Sequence, residues 1–174
     1  MKEAIAGTWL FGIVITFIVM FTSFLAYSIS YTKAFNLKNE ILNLIERHEG
    51  FSTSKLDLKN ASDVELENDN TVASLAFLKI KNMGYNYTII DNQNDKGTNI
   101  CNTSSNTTGT VGEYQTGGYC VYYLCTKDNG STKLHYKVTT FIALEIPVIN
   151  LLLRIPISGE TKTLYYDINR DHCN

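Results

Sequence analysis

Residues 10–29 read LFGIVITFIVMFTSFLAYSI, and residues 32–50 continue as TKAFNLKNEILNLIERHEG. No charged side chain occurs from Ala4 to Thr32. A bilayer core is ~30 Å thick and needs ~20 apolar residues in a helix. The run exceeds that, so it spans with some tilt. A cleavable export signal has a shorter apolar core, of roughly 7–15 residues, and a small-residue cut site. Ala26-Tyr27-Ser28 is the nearest such site, and it lies deep inside the run. The expectation is therefore a retained anchor, with membrane lipid as its first partner.

The pattern does not stop at the membrane. Leu37, Ile41, Leu44, Ile45 and His48 recur at helical spacing, while Lys38, Asn39, Glu40, Asn43, Glu46 and Arg47 supply a polar side. No Pro or Gly falls between Gly12 and Gly50. One helix is predicted from about Glu3 to His48, ~69 Å long at 1.5 Å per residue. Gly50 follows as a stop signal.

Within the span, Ala4, Thr8, Gly12, Thr16, Ser23, Ala26 and Ser30 fall in an arc of roughly 120°. Thr22 borders it. Small residues let helices approach closely in lipid, and hydroxyls bond across. This stripe is the candidate helix-packing surface.

The chain has 174 residues, 15 Lys and Arg against 17 Asp and Glu, and a net charge of −2. That balance offers no basic surface for nucleic acid. The length suits the anchor plus one domain of roughly 120–140 residues. Cys101, Cys120, Cys125 and Cys173 all follow the span, an even count that reads as a disulfide framework in an exported domain. Cys120 and Cys125 share one predicted strand, ~16 Å apart, too far to pair with each other. The expected pairing is Cys101–Cys120 with Cys125–Cys173. A zinc site on these thiols and His172 fits poorly with the Cys-x4-Cys spacing. Charges flanking the span do not decide orientation: Lys2 precedes it, Lys33 and Lys38 follow it. The cysteines favour the N-terminus inside the cell and the C-terminal domain outside.

The remaining elements follow from pattern. Residues 51–70 are polar and irregular, a linker. A helix is expected over 71–83 (TVASLAFLKIKNM), capped by Asn70 and closed by Gly84 in the left-handed conformation. A short strand is expected at 85–90. Residues 91–118, rich in Asn, Gly, Ser and Thr, read as loop tied down by Cys101. Strands at 119–127 and 132–144 flank Asp128-Asn129-Gly130-Ser131, a hairpin signal. Leu134, Tyr136, Val138, Thr140, Ile142 and Leu144 share one face of the second strand. Residues 146–153 form an apolar connection, with Pro147 and Pro156 resisting a central strand. A returning strand is expected at 161–168. The fold class is α+β: a long N-terminal helix, a second helix and a small antiparallel sheet head with disulfides. The expected organisation is a cytoplasmic tail at 1–3, a span at 4–32, a helix extension at 33–50, a linker at 51–70 and an extracytoplasmic head at 71–174.

Chemistry-bearing motifs are missing. There is no phosphate loop, dinucleotide fingerprint, zinc-protease helix or nucleophile elbow. His48, His135 and His172 are scattered, and Asp63, Glu65, Glu67 and Asp69 lack calcium-loop spacing. No catalytic residue, metal site or cofactor is expected. Tyr119, Tyr122, Tyr123, Tyr136, Tyr165 and Tyr166 fall in predicted strands, where aromatics pack across neighbours.

A short tail, a spanning helix running on as a soluble helix, and a small α+β head is the plan of pilin-like proteins. The stretches 32–50, NMGY at 82–85 and the apolar ending VTTFIALEIPVINLLLRIPISGETKTL at 138–164 resemble tight-adherence minor pseudopilins of the TadE/TadG kind, in a low-GC Gram-positive form. The resemblance implies a non-enzymatic subunit of a surface pilus or secretion apparatus. Its partners would be other pilin-like or secretion-apparatus membrane proteins, or copies of itself. A prepilin is cut after a small residue, with a glutamate shortly after. Cutting after Gly7 would put Gly12 there, so the chain is expected to keep its N-terminus. The alternative function is a single-pass extracytoplasmic adhesin or ligand-binding module.

Overall fold

The computed structural model describes residues 2–58, 60–85, 101, 113–116, 118–128, 131–146 and 151–164. Helix α1 runs unbroken over Lys2–Arg47. It ends as the pattern expects. The His48 N–H bonds to the Leu44 carbonyl at 3.0 Å, Glu49 turns left-handed, and the Gly50 N–H reaches the Ile45 carbonyl at 3.0 Å.

The stretch read as a linker contains a helix, α2 (Asp63–Asp69). Ser62 and Glu65 form a capping box: the Glu65 N–H donates to the Ser62 hydroxyl, and the Ser62 N–H donates to the Glu65 carboxylate at 2.8 Å. Only Leu66 of this helix is buried, so its seven residues show too little apolar periodicity to be read as a helix. Helix α3 (Val72–Met83) is capped by Thr71 rather than Asn70. Asn70 instead closes α2, at φ 49°. Thr71 and Ser74 both bond to the Asp69 carboxylate. At the far end Gly84 takes the expected left-handed turn at φ 59°.

Four strands form one antiparallel sheet in the order β1 (Glu113–Thr116), β2 (Tyr119–Asp128), β3 (Ser131–Ile146) and β4 (Leu151–Glu160). The hairpin register pairs Asp128 with Ser131 across Asn129-Gly130, as the turn signal implies. Two strands depart from expectation. Strand β1 lies in the segment read as loop. Strand β4 begins in the segment read as an apolar connection, at 151–153, and runs on to Glu160 with Pro156 within it. Proline lacks an N–H, but among the described residues β4 is an edge strand, and an edge leaves half its donors unpaired anyway. Of the returning strand at 161–168, only Leu164 is described as paired, bridging to Leu134; residues 165–168 lie outside the described residues. The strand expected at 86–90 lies outside them too.

Alternation assigns the two faces of the sheet. The Thr140 hydroxyl donates to the Ala34 carbonyl of α1 at 2.9 Å, so the Thr140 face meets α1. Leu134, Tyr136, Val138 and Ile142 share that face and are buried, as are Tyr119, Val121 and Cys125 opposite them. From α1 come Ala34, Leu37, Ile41 and Ile45, all at 0 % exposure. Val72, Ala73, Ala76, Phe77 and Ile80 of α3 complete this core. Tyr122 and Tyr123 are half-buried against it, so the described strand tyrosines are mainly packing residues.

The Cys101–Cys120 disulfide forms as expected, with Cα atoms 5.8 Å apart. Cys120 pairs with Thr139, so the bridge sits on the face turned away from α1. Cys125 is also disulfide-bonded; Cys173, its expected partner, lies outside the described residues.

Tyr85 closes the sheet where β2 begins. Its hydroxyl lies 2.8 Å from the Phe141 carbonyl and 3.1 Å from the Gly118 carbonyl, and accepts the Phe141 N–H at 3.0 Å. A side chain thus occupies the hydrogen-bonding slot that another strand residue would fill. Burial pushes the phenol well above its ordinary range, so it stays neutral. Tyr85→Phe leaves that buried N–H unpaired, a cost of about 1–3 kcal/mol. A lowered urea midpoint with an unchanged slope is the expected result; a wild-type midpoint would mean the slot is hydrated.

Candidate membrane anchor and its junction with the head

The first half of α1 touches nothing else among the described residues. Trp9, Phe11, Phe17, Met20 and Phe24 are all largely exposed, Met20 to 73 %. Among the described residues α1 is the one helix long and apolar enough to cross a membrane. In water this surface would be a severe liability, since monomeric soluble proteins rarely expose such patches.

Several hydroxyls of this half bond back to their own helix. The Thr16 hydroxyl donates to the Gly12 carbonyl at 2.9 Å and the Ser23 hydroxyl to the Val19 carbonyl at 2.8 Å. Thr22 and Thr32 bond back similarly, to Ile18 and Ser28. Such back-bonding lets hydroxyls sit in an apolar medium without a partner. Of the candidate stripe, Thr8, Gly12, Thr16, Ser23 and Ala26 are exposed and Ser30 is half-buried; Ala4 lies in the first turns, where the backbone alone is described. A Cβ added at Gly12 would meet nothing within 4 Å. At 100° per residue Ser23, Ala26 and Ser30 continue directly into Ala34, Leu37 and Ile41. The stripe is therefore on the same side of α1 as the head.

Tyr27, Tyr31 and Phe35 form a ladder up one edge, with ring centroids 6.4 and 6.1 Å apart. The Lys38 ammonium caps it, 4.3 Å from the Phe35 ring centre. Aromatic rings followed by lysines are what the lipid–water boundary selects.

Just beyond the ladder the head is fastened to α1. Lys33 Nζ donates to the Gly84 carbonyl at 3.1 Å, at the end of α3. Thr140 holds Ala34. Gly159 of β4 passes so close to α1 that an added Cβ would stand 2.9 Å from Leu42 Cδ1 and 3.0 Å from Lys38 Cδ. The Glu46 carboxylate accepts the Lys162 N–H at 3.0 Å. These contacts were not singled out from sequence. Two had a signal: a glycine among strand-forming residues marks close backbone approach, and Thr140 is the one aliphatic hydroxyl in its row.

No group of three or more His, Cys, Asp or Glu converges among the described residues. His135 lies on the sheet face away from α1, whereas His48 ends α1; His172 is outside the described residues. The acidic residues 63, 65, 67 and 69 spread around α2. Asp63 pairs with Lys81 at 3.2 Å, Glu65 completes the capping box of α2, and Asp69 accepts the Thr71 and Ser74 hydroxyls at the start of α3. Comparison with family models, with curated proteins and with solved structures gives no match for this chain.

Both capping carboxylates sit below their ordinary range. For Glu65 the causes are the Ser62 N–H and then its hydroxyl; for Asp69, the Ser74, Thr71 and Ser54 hydroxyls in that order. Their contribution is complete above the unfolded-state value, near pH 4, and is lost as pH falls through the lower folded-state values. In detergent, thermal midpoints should drop on acidification through that window. Asp69→Asn should lower the midpoint at neutral pH and flatten the acid limb; an identical limb would show that the cap carries no stability.

Proposed function

We propose that this chain is a non-enzymatic, single-pass membrane protein of the pilin-like, TadE-like kind, a subunit of a surface pilus or secretion apparatus. Its N-terminus faces the cytoplasm and its head lies outside. The observation that carries the reading is one unbroken helix serving two environments: an unburied apolar half, and a second half packed under an antiparallel sheet. That is the plan on which pilin-like subunits assemble through their helices. Oxidised Cys101, Cys120 and Cys125 support an extracytoplasmic head, because thiols persist in the cytosol. The small-residue stripe supports lateral packing against copies or other apparatus helices, since the Thr16 and Ser23 hydroxyls are bonded within their own helix and Gly12 offers open space.

Two measurements test this. In intact cells, an impermeant thiol reagent should label the protein only after reduction; labelling without reductant would overturn the disulfides, and no labelling even after an impermeant reductant would sink the outside assignment. The double variant Gly12→Leu, Thr16→Leu should remain in the membrane fraction yet lose crosslinking to its partners and drop out of sheared surface material. Crosslinking at the wild-type level would overturn assembly through the stripe.

A further inference from the structure

The β3–β4 hairpin extends past the rest of the sheet. The last β2–β3 pair is Tyr119 with Thr140, and Tyr85 plugs the next slot at Phe141. From there β3 and β4 continue together, through Ile142 with Ile155 and Leu144 with Leu153, to Ile146 with Leu151.

The direction of this extension follows from contacts with α1. Lys162 sits at Glu46, Gly159 at Leu42 and Lys38, and Thr140 at Ala34. Gly159 pairs with Val138, so moving along β3 from Val138 to Thr140 moves down α1 towards the span. Residues 141–146 therefore run on towards the lipid. The level of the lipid is also legible. Trp9 to Tyr31 rises about 33 Å at ~1.5 Å per residue, close to the ~30 Å hydrocarbon core. Lys33 is the first charge after the span. Ala34, and with it Thr140, thus stands at the boundary. Six further residues of β3 cover about 20 Å along the strand, so an oblique ribbon carries its end into the headgroup layer and the outermost hydrocarbon rather than to the centre.

The composition suits that place. Residues 141–146 and 151–156 read FIALEI and LLLRIP. Ile142, Leu144, Ile146, Leu151, Leu153 and Ile155 share one face by register. Glu145 and Arg154 are the only charges, opposite in sign and one pair apart on the other face. Ile155, where side chains are again described, is 40 % exposed. A two-stranded ribbon this apolar is marginal in water. Its backbone edges also bar it from the dry hydrocarbon centre.

We infer that the end of the β3–β4 hairpin is a second membrane-contacting element, seated in the interfacial layer of the same bilayer that α1 crosses. The head then rests on the lipid at two points and is fixed in rotation about α1. This rests on the anchor reading of α1, and the test separates the two.

Trp9 is the only tryptophan. The full chain is reconstituted in phosphatidylcholine vesicles, with and without acyl-chain bromines, which quench indole emission on contact. Wild-type Trp9 reports the span. Trp9→Phe combined with Leu152→Trp, or separately with Leu144→Trp, reports the hairpin; Trp9→Phe with Lys162→Trp reports the far end of the head. Both hairpin variants should lose emission to an extent comparable with Trp9, more with shallow bromines than deep ones, while the Lys162 variant stays bright. Circular dichroism screens each variant for folding. Quenched Trp9 with unquenched, red-shifted hairpin tryptophans would overturn the proposal and leave the anchor intact. Blue-shifted but unquenched hairpin emission would mean a protein partner covers it, and equally overturns it. Unquenched Trp9 would bring down the anchor itself.

Discussion

The row Ala34, Leu37, Ile41, Leu44 and Ile45 joins two solvents in one helix. Below it α1 is built for lipid, with hydroxyls folded back onto their own backbone and apolar side chains outward. Along it the same helix is the central strut of a water-soluble core, covered by the sheet and by α3. A helix has no joint at this boundary, and the sequence provides none: no glycine or proline interrupts it. The head's placement is therefore set by the side chains that grip α1 in its first turns beyond Tyr31. Lys33 ties down the end of α3, Thr140 binds a helix carbonyl, and Gly159 lets an edge strand lie against Lys38 and Leu42.

Much of this was legible in the residues. The span and its soluble continuation follow from charge and periodicity, α3 from its apolar face and Gly84, and the β2–β3 hairpin from Asn129-Gly130. Excluding a pair along one strand leaves two pairings of the four cysteines open, and the structure takes the expected one with Cys101–Cys120. What was misread has common causes. Helix α2 is short and polar, so its only signal was local, Ser62 three residues before Glu65. Strand β4 was discounted because Pro156 argues against a central strand, yet an edge tolerates it, and edge or centre is a tertiary property. Asn70 and Thr71 are both good caps; which is used depends on how α2 ends.

The candidate site divides in the same way. That residues 4–32 are long and apolar enough to cross a membrane is written in their chemistry. The small-residue stripe is equally plain as a pattern, but a single chain carries no imprint of what packs against it. The junction with the head escaped notice because its parts, Lys33, Gly84, Thr140 and Gly159, lie far apart in sequence, and nothing in the sequence says that they meet. Tyr85 carried no signal at all: a tyrosine after a helix does not announce that it will stand in for a strand.

The stripe and the head occupy one side of α1, and that has a steric consequence. A neighbouring rod laid against Gly12 and Thr16 meets the overhanging sheet once it rises past Ser30. Two identical subunits packed side by side at equal height through this surface would collide. Neighbours must instead be displaced along the rod axis, one nestling beneath the eave of the next, or else end within the bilayer. If copies pack through this stripe, an axial stagger between them follows from the geometry of a single protomer.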